Sequence, residues 1–432
     1  MSLGKSMHDC FMQHILFVGH SPNLAGAEYS MLRLIQSLPK SLTISVLAPS
    51  GGVFEQEIKK LNLDFYHLDY NYAFYMKKDG HGNLNNFLSM LGTHVSSLSN
   101  KLPKPDIIHS NTFFVWEGAL LAAHWKIPHV WNLREIIMDS PTWNPQMNLN
   151  HQLEAMNLLT DEFVCVSQAL TDKLPPEFAD HSQAVHNGYE VQAKCSRETS
   201  RNFFEENFNI PQKGFVCLTI GNFIPEKGYE WIFPICEKII KENNNIFFLW
   251  VGAHHHSFEK IHSRIESHQL QKNIITPGHI DFFNQYIKGA DIYVLPSQTE
   301  AFPTTLLEAQ YNNIPILARE CGGAHEIIEK GGGGYMSSHE DQDAFESTLK
   351  DMINHPKPLE TKEYYFTMER MVNGYLKIYQ KAFREYNEKT KRTKFYEIFI
   401  ENCALFKFIP KKEIKPHLLK RIFIKLKLIL SK

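Results

Sequence analysis

The chain has 432 residues, 43% of them hydrophobic and 21% charged, with a formal net charge of −2. That length points to two or three domains. The apolar content excludes global disorder, the near-neutral charge excludes a general nucleic-acid binder, and the scattered glycines exclude a collagen-like repeat.

The first dozen residues include Lys5, His8 and Asp9 and no apolar stretch of signal-peptide length. No window reaches the roughly 18 apolar residues of a spanning helix, so neither an exported nor a membrane-crossing chain is expected. Residues 14–19 (HILFVG) read as a buried strand, and 27–38 repeat apolar residues at Met31, Leu32, Ile35 and Leu38 with helical spacing. Residues 42–48, 107–110, 129–133 and 162–167 are further short apolar strands. Continuous apolar strands between helices indicate a parallel sheet covered on both faces. The pattern stalls over 191–211, a polar stretch that reads as a linker or one surface helix. It restarts with strands at 215–221, 246–252, 273–276, 291–296 and 314–318. The expected fold is α/β, with two facing Rossmann-like, doubly wound domains over 1–190 and 212–363. Ligands bind at the carboxyl ends of such strands, so the cleft between the domains is the expected site.

Residues 364–389 read as a helix crossing back over the domains, and 390–432 as a basic tail. From Lys389 to Lys432 there are 13 Lys/Arg and three acids, a charge of +10 that leaves −12 on the rest. Within it, 417–430 (HLLKRIFIKLKLIL) set Leu418, Leu419, Ile422, Phe423, Leu426, Ile429 and Leu430 against Lys420, Arg421, Lys425 and Lys427. Such a helix suits an anionic membrane surface, or packs on the chain's own acidic body. Seven widely spaced cysteines without C-x-x-C fit free thiols in a reducing cytosol. The expected location is cytoplasmic, peripheral on the inner face of the plasma membrane if the tail binds lipid.

The densest signal is 295–318, LPSQTEAFPTTLLEAQYNNIPILA. A strand ends at Pro296, a polar loop carries Glu300, Pro303 suits the first turn of a helix, and Glu308 stands one turn further in. Free amides at Phe302 and at Thr304 through Leu306 make an anion site at the helix start. An ionised carboxylate only accepts hydrogen bonds, so beside an anion site it suits a neutral, hydroxyl-rich group. The combination reads as phosphate on the amides and sugar hydroxyls on the carboxylates.

In this segment Pro296, Ser297, Glu300, Phe302, Pro303, Leu307, Glu308 and Ala309 match, in register, the E-x7-E element of retaining GT-B glycosyltransferases. The chain resembles the large family 4 of that class. The resemblance continues through Gly26-Ala27-Glu28, Asn187-Gly188, the Gly221 to Gly228 segment, Gly252, Gly278, Asp291, Gly322-Gly323 and Glu326, covering residues 14–335. It implies that Glu308 holds the donor ribose, that Glu300 contacts sugar hydroxyls near the reacting carbon, and that Lys227 neutralises the departing diphosphate. Gly26, Gly221 and Asn222, with the amides of Phe302, Pro303's helix, Thr304 and Leu306, would line the donor. Glu28, Glu135 and Asn187 would fall on the acceptor side. The implied substrates are a UDP- or GDP-sugar and a glycan or glycolipid acceptor, with no metal or other cofactor required.

Two departures stand out. Asn222 occupies a position where the family usually has Arg, which removes one cation; Arg134 and Arg319 are the candidate replacements. Arg134 itself stands where the family often has His near the reacting carbon, and Arg134–Glu135 also reads as a structural ion pair. A non-catalytic adaptor, and a sugar-nucleotide epimerase or hydrolase, are the alternative functions. His254 and its two neighbours do not suit one metal ion, and Asp341 reads as a helix cap rather than part of a metal motif.

Overall fold

The computed structural model describes residues 12–69, 72–76, 84–138, 140, 142–146, 148–190, 195–255, 257–331, 333–357, 359, 364–386 and 390–406. The N-terminal domain runs β1 (His14–Val18), α1 (Gly26–Ser37), β2 (Thr43–Ala48), α2 (Val53–Lys60), β3 (Asp64–His67), β4 (Phe74–Met76), α3 (Leu84–Lys101), β5 (Ile107–Asn111), α4 (Glu117–Trp125), β6 (His129–Leu133), β7 (Trp143–Pro145), α5 (Leu149–Leu159), β8 (Glu162–Cys165), α6 (Gln168–Thr171) and β9 (Ser182–Ala184). Its parallel sheet has the order β3-β2-β1-β5-β6-β8-β9, while β4 and β7 form a separate antiparallel pair. Helices cover both faces, which is why β5 and β6 are buried along their whole length.

The C-terminal domain runs α7 (Arg197–Phe208), β10 (Phe215–Ile220), α8 (Tyr229–Glu242), β11 (Ile246–Val251), α9 (Phe258–Ser267), β12 (Ile274–Gly278), β13 (Ile292–Leu295), α10 (Thr304–Tyr311), β14 (Ile316–Arg319), α11 (Ala324–Gly331), β15 (Tyr335–Ser337) and α12 (Gln342–Asn354). Its six strands are parallel in the order β12-β11-β10-β13-β14-β15. Strand order reverses between β1 and β5 in the first sheet and between β10 and β13 in the second. These reversals open a crevice at the carboxyl ends of the strands. Asp341 caps α12, accepting the Ala344 amide at 2.8 Å.

Of the two readings of 191–211, a linker or one surface helix, the helix holds, though it is not a free surface element: the stretch carries α7, capped by Ser196 and docked on the second domain. Phe204 of α7 is fully buried and stacks on Phe283, while Arg197 and Arg201 both pair with Asp291. Asp291 in turn accepts the Val216 amide at 2.7 Å, so the helix is tied to the strand that opens the sheet.

Nor does a free basic tail begin at 390. After α13 (Met368–Arg384), the helix α14 (Thr390–Phe406) packs on the first domain with Phe395 and Phe399 buried. Its Arg392 meets Asp161 at 2.8 Å and the Ile127 carbonyl at 3.0 Å. The basic amphipathic segment 417–430 lies outside the described residues. Among those described, no helix is long and apolar enough to cross a membrane.

The chain crosses back as the helical pattern suggests. α13 lays Met371, Tyr375, Ile378 and Tyr379 into the apolar face beside α1, and the Tyr379 hydroxyl meets His109 Nδ1 at 2.8 Å. Gly188 makes this return possible, since a Cβ there would come within 2.6 Å of the Thr367 carbonyl.

The domains also meet directly. Glu226 accepts hydrogen bonds from Ser140 Oγ (3.0 Å), the Thr142 amide (3.1 Å) and Thr142 Oγ1 (2.5 Å). Glu326 accepts from the Gln168 and Ala169 amides and meets His186 at 2.6 Å.

Candidate functional site

On the second domain, β10 ends at Ile220 and the chain turns through Gly221 to Lys227 before α8. Lys227 folds back over Gly221, where a Cβ would lie 3.2 Å from the lysine Cδ. Gly228 has φ +72°, and its absent Cβ would sit 2.0 Å from the Pro296 carbonyl oxygen. Only glycine allows that approach, and it sets the Lys227 turn directly on the loop that follows β13. There Lys227 Nζ pairs with Glu300 Oε1 at 2.6 Å, and Ser297 Oγ donates to the same oxygen at 2.8 Å. The Gln298 amide donates to the Glu226 carbonyl at 2.7 Å and locks the two loops together. Behind Glu300, its carbonyl accepts the Gly323 amide at 3.1 Å.

α10 begins immediately after this loop, with Pro303 at its cap position and no side-chain cap. The Leu306 amide donates to the Pro303 carbonyl at 3.0 Å. The Leu306 amide is therefore spent within the helix, which leaves the amides of Phe302, Thr304 and Thr305 as the candidates for an anion at the helix start. The side chains of Phe302 and Leu306 are buried, Phe302 against His186 and Phe366, so these residues face the site only with backbone.

Glu308 follows one turn on, recessed at the cleft. Burial pushes its carboxyl up to about 7, and only the Arg33 guanidinium works against this. Arg33 comes from α1 of the other domain and lies 4.8 Å over the Tyr189 ring. A recessed carboxylate that lacks strong partners and faces the cleft is suited to accept hydroxyl donors from a ligand.

Asn222 does not replace a cation. Its Oδ1 accepts the Ala253 amide at 3.1 Å and joins the turns after β10 and β11. Arg319, offered by the sequence as a substitute, is buried under other duties: it donates to the His339 carbonyl and lies 4.3 Å over Trp231. Lys227 is thus the candidate cation that the structure places beside the loop before α10. His254 stacks on Phe258 at 3.5 Å, and among the described residues no group of His, Cys, Asp and Glu could hold a metal ion.

On the first domain, the ends of β1, β5 and β6 bring together the residues expected on the acceptor side. Arg134 donates to Asn111 Oδ1 at 2.6 Å and to Asn187 Oδ1 at 2.9 Å. Asn187 also accepts from Ser30 of α1 at 2.6 Å, so the arginine is held from two sides within this wall. Glu135 accepts the Phe113 amide at 3.3 Å, and its carboxyl is raised by burial. Glu28 is fully buried and pairs with His20 Nδ1 at 2.7 Å. A Cβ at Gly26 would meet nothing within 4 Å, so the start of α1 borders open space. Ile136, next to Glu135, lies 3.2 Å from where a Gly322 Cβ would be, and the same Cβ would be 1.9 Å from the Glu300 carbonyl. The Arg134–Glu135 wall therefore faces the Glu300 loop.

Sequence reasoning missed His20, Asn111, Glu226 and Arg33, and named Ser297 only as part of the motif. The only sequence signal was positional: His20 and Asn111 stand at or just past the carboxyl ends of apolar strands.

Two facing parallel-sheet Rossmann-like domains, crossed by a C-terminal helix and enclosing this cleft, define the GT-B class of glycosyltransferases. Residues 24–193 match Glycosyltransferase Family 4 and residues 200–365 match Glycosyl transferases group 1. The chain belongs to this family and is a glycosyltransferase. It is 22% identical over 292 residues to an uncharacterized glycosyltransferase of Methanocaldococcus jannaschii, covering 64% of this chain and 75% of that protein. It is 21% identical to CapH, a capsular polysaccharide biosynthesis glycosyltransferase of Staphylococcus aureus, covering 80% and 92% of the two chains. Anabaena HepE, solved in complex with UDP and glucose, shares the fold with a TM-score of 0.65 at 16% identity, covering 92% of this chain and all of that one. WaaG, involved in lipopolysaccharide biosynthesis, shares it with a TM-score of 0.57 at 14% identity, covering 91% and 100%.

Proposed function

We propose that the protein transfers a sugar from a UDP- or GDP-sugar to a lipid-linked or surface-polysaccharide acceptor, with retention at the anomeric carbon. The observation that carries this reading is the Lys227–Glu300 pair, 2.6 Å apart beside the uncapped start of α10. Without ligand, the two side chains neutralise each other. A donor diphosphate entering at the helix start draws Lys227 to itself, and the Thr304 and Thr305 amides point at the same oxygens. Glu300 keeps Ser297 and becomes free to accept from a sugar hydroxyl near the reacting carbon. Glu308 accepts the ribose hydroxyls.

Negative charge grows on the diphosphate as the bond to the anomeric carbon breaks. Lys227 and the amides are already in place there, which is where stabilisation lowers the barrier. This arrangement calls for no metal, so EDTA-treated protein keeps its rate. CapH supports a polysaccharide acceptor by its name. A lipid-linked acceptor is supported by the name of an Escherichia coli relative, a UDP-Gal:alpha-D-GlcNAc-diphosphoundecaprenol alpha-1,3-galactosyltransferase that is 22% identical over 192 residues. A cytoplasmic enzyme held at the inner membrane surface through 417–430 would meet such an acceptor.

The test is incubation of the full chain with a panel of labelled UDP- and GDP-sugars and a detergent extract of polyprenyl-diphosphate-linked glycans. The expected result is label moving to the glycan, with the product anomer matching the donor by NMR. Label that stays on the nucleotide with every donor contradicts the proposal, and an inverted product contradicts retention.

A further inference from the structure

We propose that Glu226 is a positioning residue for transfer, whose carboxylate holds the acceptor-side wall of the cleft in register with Lys227, its neighbour in the chain. Glu226 belongs to the second domain, yet three hydrogen bonds that its side chain accepts come from the first. Oε1 takes the Ser140 hydroxyl at 3.0 Å and the Thr142 amide at 3.1 Å, and Oε2 takes the Thr142 hydroxyl at 2.5 Å. Glu226, Ser140 and Thr142 are all buried. Two hydroxyls and an amide on one buried carboxylate make a directional clamp, and each bond to the charged group is stronger than a neutral one.

Both sides of the clamp are fixed. On the donor side, the Glu226 carbonyl accepts the Gln298 amide at 2.7 Å, and the Lys227 amide donates to the Ile224 carbonyl at 3.1 Å. Gly228 is pressed against the Pro296 carbonyl. The backbone that carries Lys227 is therefore held, and a diphosphate draws only the lysine side chain. On the other side, the Ser140 hydroxyl oxygen accepts the Thr142 and Trp143 amides at 3.2 Å each. Ser140 and Thr142 follow the stretch that leaves β6 through Arg134 and Glu135, and the Ser140 amide donates to the Ile137 carbonyl at 3.3 Å. The chain then enters β7, where Trp143 packs on Phe114 with centroids 5.0 Å apart.

Glu226 thus joins the wall of Arg134 and Glu135 to the turn of Lys227. An acceptor hydroxyl reacts only when it stands close to the anomeric carbon and aligned with it, and a misplacement of about 1 Å costs about 100-fold. With its carboxylate spent on the other domain, Glu226 acts through the walls on either side of it. Losing the clamp should impair use of the acceptor and leave the donor pocket, built by Lys227, Glu300 and α10, intact.

This assignment rests on the transfer reading above, and its test includes a part that needs no substrate. Hydrogen exchange of the full chain, read by mass spectrometry, should show 140–146 exchanging roughly tenfold faster in Glu226→Ala than in wild type, with β10 unchanged. With the sugar nucleotide and glycan pair that labels in the panel above, Glu226→Ala should lose roughly 100-fold in kcat/KM for the acceptor and keep donor affinity within about threefold. Thr142→Val, which lacks one hydroxyl, should lose roughly tenfold, while Thr142→Ser, which keeps it, should stay within about threefold of wild type. This second pair decides the matter if Glu226→Ala does not fold. Unchanged exchange at 140–146, acceptor use near wild type in Glu226→Ala, or equal loss in Thr142→Val and Thr142→Ser overturns the assignment alone. So does donor affinity that falls in step with acceptor use. A wild type inert toward every donor overturns the transfer reading and this assignment with it.

Discussion

The carboxyl of Glu308 makes donor affinity depend on pH in a way that can be worked through. Burial raises it from the ordinary 4.5 to about 7. The ionised form accepts the ribose hydroxyls with charge assistance that the protonated form lacks, so binding should weaken as pH falls through 7. Ionisation drops from about nine-tenths at pH 8 to about one-tenth at pH 6, which weakens affinity about tenfold, or roughly 1.4 kcal/mol. Glu308→Gln removes the charge-assisted part of the contact, worth about 1.5–3 kcal/mol, so it should bind roughly 10- to 100-fold more weakly at pH 8. Its pH dependence should also be flat.

The sign reverses for stability. A carboxyl raised on folding holds its proton more tightly in the folded chain. It contributes stability as pH falls from about 7 toward 4.5, and it is a liability above 7. Without nucleotide, Glu308→Gln should therefore be more stable than wild type at pH 8, by at most about 3 kcal/mol, with the gain fading toward pH 4.5. Calorimetry with UDP-glucose and GDP-mannose, whose diphosphates do not titrate near neutrality, reads the first effect, and thermal melts read the second. A variant that binds within threefold of wild type, or keeps the same pH dependence, would falsify the ribose role.

Glu300→Gln should keep most donor affinity but lose turnover, whereas Lys227→Met should lose both; rate and affinity measured on the same preparations separate the two. Gly228→Ala forces a side chain into a left-handed backbone and against the Pro296 carbonyl. We expect a lower melting temperature and loss of transfer together, and normal activity would show that the Lys227 turn does not need that close approach. Arg392→Met removes the guanidinium that Asp161 meets at 2.8 Å at the base of α14. Breaking a buried pair costs about 3–5 kcal/mol, so chymotrypsin should cut at Phe395 and Phe399 in the variant and spare them in wild type; equal protection would mean that packing alone holds the helix.

Much of the fold was legible because buried parallel strands are apolar from end to end. The run at 129–133 coincides with β6. Residues 162–167 ran two residues long, since Ser167 turns away to cap α6 by accepting the Leu170 amide at 3.1 Å. What stayed illegible depends on partners distant in sequence. β4 and β7 are three-residue strands that pair across about seventy positions. α7 and α14 look like polar or basic surface until Asp291 and Asp161 meet their arginines.

The candidate site divides in the same way. Lys227, Glu300 and Glu308 carry their spacing within single loops and one helix, so the sequence exposes them. His20 is a lone histidine after a strand until α1 brings Glu28 back to it. Arg319 shows the reverse case: a cation at a strand end that looks available in sequence and is consumed by Trp231 and His339.

The most direct test of the account is a structure of the full chain with an intact nucleotide sugar. The account predicts diphosphate oxygens within hydrogen-bond reach of Lys227 Nζ and the Thr304 and Thr305 amides, the ribose on Glu308, and Glu300 released from Lys227. A nucleotide bound elsewhere, or one that leaves the Lys227–Glu300 pair intact and Glu308 untouched, would contradict it.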